Sequence, residues 1–73
     1  MDQPWQYEIR IEGHLPDHWS GWLEGLAIRN EPNGDTVLSG ALMDQAALIG
    51  VLAKLQALNL SLISVSRTSP LTP

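Results

Sequence analysis

The 73-residue sequence predicts an α+β domain, one antiparallel sheet covered on one face by a single main helix. Three observations predict it. Apolar residues alternate with polar ones from Trp5 to Ile11, and Asn33-Gly34 separates two further strand-like runs. Leucine and valine then recur at three- and four-residue spacing between positions 48 and 58. Period two marks a half-buried strand, and a period near 3.6 marks a helix with one buried face.

The first strand is expected in "WQYEIRIEGH", residues 5–14, with Trp5, Tyr7, Ile9 and Ile11 on the core side and Gln6, Glu8, Arg10 and Glu12 opposite. Pro16 breaks that alternation, and Asp17 is placed to cap a short helix beginning at His18. At α-helical spacing Trp19, Trp22 and Leu23 share one face of it, and Gly25 is a suitable stop, because glycine takes the left-handed conformation that ends helices. "LAIRNE" and "TVLSGAL" read as the second and third strands. The Asn33-Gly34 pair between them predicts a type I′ hairpin turn, whose two central residues both take positive φ.

Asp44 opens the main helix, "DQAALIGVLAKLQAL", and can cap it through its carboxylate. Leu48, Val51, Leu52, Leu55 and Leu58 form its apolar stripe, and Asn59 stands where a left-handed residue ends the helix. "LSLISVSR" supplies the last strand. The order strand, short helix, strand, strand, helix, strand is the ferredoxin-like βαββαβ arrangement with a stunted first helix. Residues 1–68 are expected to form one domain, and 69–73 a disordered tail rich in proline.

Composition excludes several function classes. Eight acidic residues face four scattered basic ones, and a net charge of −4 gives no footprint for a phosphate backbone, so nucleic acid is not an expected partner. No stretch approaches the ~20 apolar residues of a membrane span. With no cysteine there is neither a disulfide nor a thiolate metal site. The amino terminus has no signal-peptide pattern, and a cytoplasmic protein is expected.

The densest chemistry lies in "GHLPDHWSGW", residues 13–22, which holds both histidines and two of the three tryptophans. His14 and His18 are four apart, the spacing of two zinc ligands on a helix, but Pro16 separates them and Asp17 would have to abandon its cap to complete a set of three. Glu12, His14 and Asp17 could form an acid/base group at the sheet end, yet no nucleophile elbow or phosphate-binding glycine loop accompanies them. The tryptophans suit a ligand platform or a plug over the sheet end, and in a chain without phenylalanine the plug is preferred. We therefore expect no catalytic residue, no metal site and no cofactor.

The unexplained feature is the far side of the main helix. Ala46, Gly50, Ala53 and Ala57 fall together opposite the leucine stripe, with Ile49 at the flank, where a solvated helix carries glutamate, lysine and arginine. A mid-helix glycine costs ~1 kcal/mol relative to alanine, which favours a close contact there. Ala46, Ile49, Gly50, Ala53 and Ala57 are thus the expected oligomer interface, with an exposed sheet edge as the alternative contact.

The chain resembles a group of small bacterial proteins of unknown activity, on "YEIRIEGHL", on the paired tryptophans of "HWSGWLEGL" and above all on "DQAALIGVLAKLQALNLSLISV", a likeness running from Tyr7 to Val65. Members of that group often carry histidine where this chain has Ile49. The resemblance implies the fold and carries over no catalytic residue. The helix and last strand also look like those of ACT-type ligand-sensing domains. The expected function is a non-enzymatic, homodimeric binding or assembly module, whose further partner would be an unidentified protein or small molecule. The alternative is an ACT-like domain that holds a small polar metabolite at its subunit interface.

Overall fold

A computed structural model describes residues 5–68, and both chain ends, including the proline-rich tail, lie outside the described residues. The elements are β1 (Trp5–Glu12), a 3-10 helix (Asp17–Leu23), β2 (Ala27–Asn30), β3 (Asp35–Leu42), α1 (Gln45–Ala57) and β4 (Ser61–Thr68). The four strands make one antiparallel sheet in the order β2-β3-β1-β4.

The alternation of β1 is realised as expected. Tyr7, Ile9 and Ile11 are buried, whereas Gln6, Glu8 and Glu12 are exposed. The register Ile9↔Leu38 on one side and Ile9↔Val65 on the other puts the apolar residues of three strands on one face. On that face Ile9, Ile11, Leu15, Leu23, Leu26, Leu38, Leu42, Val51 and Leu55 close into the core. The opposite face is polar, with Arg10 3.5 Å from Asp35, and its one deeply buried apolar residue, Val37, sits between its cross-strand neighbours Arg10 and Arg29. Aliphatic arginine stems cover apolar surface in such positions.

Helix α1 follows its predicted limits. Asp44 Oδ1 accepts from Ala47 N–H at 2.8 Å, an N-cap bond worth ~1 kcal/mol. Val51 and Leu55 are buried, and Leu48, Leu52 and Leu58 pack beside them, so the leucine stripe is the face laid on the sheet. At the other end Asn59 takes φ 64°, its N–H donates to Gln56 O, and Leu60 N–H donates to Leu55 O. These two bonds form the Schellman pattern that satisfies orphan carbonyls at a helix end.

Two local expectations are corrected. The hairpin is not type I′, because Gly34 has φ 96° while Asn33 stays outside positive φ. Gly34 N–H donates to Glu31 O at 3.1 Å and Glu31 N–H to Asp35 O at 2.7 Å, which closes a three-residue loop. Pro32 explains the change, since its fixed φ suits the second position of a type I turn and leaves Gly34 to take the positive φ of the following bulge. The first helix is also different. Its cap is Pro16, with no side-chain bond, and Asp17 is its first residue rather than its cap. Because the segment is 3-10, residues three apart eclipse one another. Ser20 and Leu23 therefore point inward together, with Ser20 Oγ donating to Leu26 O at 2.7 Å, and Trp22 turns out, 41% exposed. The stop is shared by Glu24 at φ 62° and Gly25 at φ 77°.

Candidate functional site

The stretch from Gly13 to Trp22 is stitched to the end of the sheet by hydrogen bonds. Gly13, at φ 101°, turns the chain out of β1, and its N–H donates to Gly34 O at 2.9 Å. The Asn30 side chain then pairs with both backbone groups of Leu15, accepting from its N–H at 3.0 Å and donating to its carbonyl at 3.2 Å. The fully buried Thr36 hydroxyl lies 2.6 Å from Gly13 O and 2.7 Å from Asn30 Oδ1, and shares its one hydrogen between them. This latch was invisible to pattern reading, which assigned Asn30 and Thr36 only to strands. A hint was present, because asparagine is depleted in strands and needs a reason to be there.

The histidines take separate partners. His14 Nε2 donates to the Glu31 carbonyl at 3.1 Å, while the His18 ring stacks on Trp19 with centroids 5.3 Å apart. Among the described residues no group of three or more histidines, cysteines and carboxylates is placed to hold a metal ion. Trp19 packs against the core, in the role expected of the plug, and its ring lies 5.1 Å from Trp22. Trp22 works differently from the expectation. Lys54 of α1 donates to its carbonyl at 2.8 Å and stands 5.4 Å from its ring, 3.9 Å from Glu24, so the one formal charge within α1 ties the helix to the 3-10 segment.

The other side of α1 is where large apolar side chains meet water. Helix α1 packs against β3 and β4, with Val51 and Leu55 buried in the core, yet Leu62 and Val65 on the same face of β4 stay exposed. A groove of about 460 Å³ is left between α1 and β4, lined by Ile49, Leu52, Ala53, Gln56, Leu60 and Leu62. Beside it every side chain from Ser61 to Arg67 is exposed. Ile49 is 57% exposed, Leu62 51%, Ile63 50% and Val65 38%. Ile63 is the residue left unpaired where the β1–β4 register shifts, so it adds an apolar side chain that strict alternation would not supply. Arg67, the only charged residue of β4, stacks on Trp5 at 4.1 Å.

The five residues expected at an interface are divided by this geometry. Ile49 and Ala53 line the groove, whereas Ala46, Gly50 and Ala57 do not. Ala46, Ile49, Ala53 and Ala57 are exposed, and a Cβ placed on Gly50 would meet nothing within 4 Å. No neighbouring element of the chain therefore requires glycine there. What sequence reasoning left open is the burial of β4, which was assigned only as the last strand and whose Leu62, Ile63 and Val65 are exposed. No described helix is long and apolar enough to cross a membrane.

A family model described as Domain of unknown function (DUF8691) matches residues 6–66, from the start of β1 almost to the end of β4. No curated protein and no solved structure matches the chain.

Proposed function

The chain belongs to the family Domain of unknown function (DUF8691), and from its surface we propose that it is a non-enzymatic module that works by association, most simply as a homodimer. The observation that carries this reading is the half-exposed apolar strip of Ile49, Leu62, Ile63 and Val65 beside an open groove. Contiguous apolar surface of this kind marks interaction sites. Domain size supports it too, since a domain of this length buries only ~60% of its unfolded surface and gains from shared burial. Both histidines and the carboxylates of Glu31 and Asp35 support association over chemistry, being engaged with a backbone carbonyl, a ring stack and surface ion pairs.

The groove has one polar lining side chain, Gln56, which suits an apolar contact better than the small polar metabolite of the ACT-like alternative. The ferredoxin-like reading of the fold is part of the proposal. It is supported by the fully antiparallel order 2-3-1-4 and by both helical segments lying on the core face. Sedimentation equilibrium over a hundredfold range of concentration tests the association, with a mass twice that of the 8.0 kDa chain expected at the upper end. A single 8.0 kDa species throughout would remove it.

A further inference from the structure

The two edges of the sheet are unlike. β2 is four residues long, carries Arg29 paired to Glu31 at 2.8 Å, and is flanked at its end by the His14–Leu15 segment bonded to Glu31 and Asn30. Short length, charge and a covering loop are the usual means by which a sheet edge is kept from pairing. β4 is eight residues long and has no lysine, acidic residue or proline, only the bulge at Ile63 and the stacked Arg67. From Ser64 to Thr68 its register with β1 is regular, and no strand lies on its outer side among the described residues.

We propose that β4 is the dimer contact, pairing antiparallel with β4 of a second copy of this chain to make one eight-stranded sheet. This deepens the association reading and rests on it. A two-fold axis perpendicular to the sheet pairs a strand with itself, and residues opposite each other must share a face, so the axis passes through a residue rather than between two. Charge selects which one. With the axis at Ser66 the two Arg67 Cα atoms would stand roughly 8 Å apart, and with the axis at Val65 roughly 14 Å, taking ~3.3 Å per residue along a strand and ~4.8 Å between strands. Only the second separation clears the ~8 Å Debye length at physiological salt. The Val65 register also sets Val65 against its own copy on the core face, and Ser64 against Ser66 on the polar face.

Both α1 helices then lie on the same side of the joined sheet, and their grooves open toward each other over the paired β4 strands. Ile49 and Ala53 flank the contact, while Ala46, Gly50 and Ala57 lie outside it. Assembly stops at two, because the strands left at the ends are the short, charged β2 edges.

The chain has no cysteine, which allows a direct test. A Val65→Cys variant should oxidise to a covalent dimer, since directly opposed residues on an antiparallel pair are within disulfide reach, and Ala53→Cys should not. A Val65→Lys variant should sediment as the single chain where the wild type is dimeric, and Ala53→Glu should remain dimeric. Amide exchange should show protection lost in Val65→Lys at the β4 amides that face away from β1, while the β4 amides bonded to β1, and β1 and β3 themselves, stay protected, which separates a split dimer from an unfolded chain. Covalent dimers from Ala53→Cys but not Val65→Cys, or dissociation by Ala53→Glu alone, would overturn the β4 contact and leave association standing. A wild type that is monomeric throughout would overturn both.

Discussion

The Asn30 side chain presents an acceptor and two donors from the last position of β2, and it uses them on Leu15 and Thr36, fifteen and six residues away. Leu15 is almost fully buried, so its backbone groups have little access to water once that partner is gone. Leaving part-buried groups unpaired costs ~1–3 kcal/mol. We expect Asn30→Ala to destabilise the domain by about that amount in urea unfolding. His14→Ala removes a single exposed bond and should stay within ~0.5 kcal/mol of wild type. Equal effects would mean that the latch does not hold the strand end. Gly40 shows the same dependence on a distant residue, because at φ 153° it leaves the space that Leu26 fills, and a Cβ there would come within 2.9 Å of Leu26 Cδ2.

Among the elements, the β2–β3 hairpin gives the sharpest contrast between two neighbouring residues. A type I′ turn would need positive φ at both Asn33 and Gly34, whereas the observed loop needs it at Gly34 alone. Asn33 contributes through its side chain, whose Oδ1 accepts from Asp35 N–H at 3.0 Å in an exposed site. Gly34→Ala should therefore cost ~1–2 kcal/mol, the penalty for an L-residue forced to positive φ. Asn33→Gly should be close to neutral, losing an exposed bond and gaining nothing from glycine's freedom. Thermal melts of the two variants check this, and a marked stabilisation by Asn33→Gly would restore the type I′ assignment.

For the whole molecule, stability and association are linked if the native state is the associating one. Mass action then makes the melting temperature depend on protein concentration. The wild type should melt higher by several degrees as concentration is raised a hundredfold, while Val65→Lys should melt at one temperature throughout. In a domain this small ~1 kcal/mol moves the midpoint by ~4–8 °C, so the difference is readily measured. A wild-type midpoint that does not move would show that no contact adds to folding in this range.

Local periodicity and capping were legible in the sequence because they depend on residues a few positions apart. The alternation of Tyr7, Ile9 and Ile11, the leucine stripe of α1, Asp44 as its cap and Asn59 as its left-handed end all follow from side-chain direction and backbone freedom within one element. The helix face opposite the leucines was identified as apolar for the same reason, and Ile49 and Ala53 do line the groove. What only the tertiary structure decided was burial between elements. Leu62, Ile63 and Val65 look like core residues, but their exposure depends on how α1 packs against the sheet, and a groove stays open between α1 and β4. The Asn30 latch was hidden likewise, since no period relates Asn30 to Leu15 until the turn at Gly13 carries the segment after β1 across to the end of β2. The sequence by itself determined the four strands and the main helix, because backbone sterics act locally, but not the type of the first helix or of the hairpin turn. The tertiary structure alone decided which apolar face stayed open, because that depends on where separately formed elements come to rest against one another.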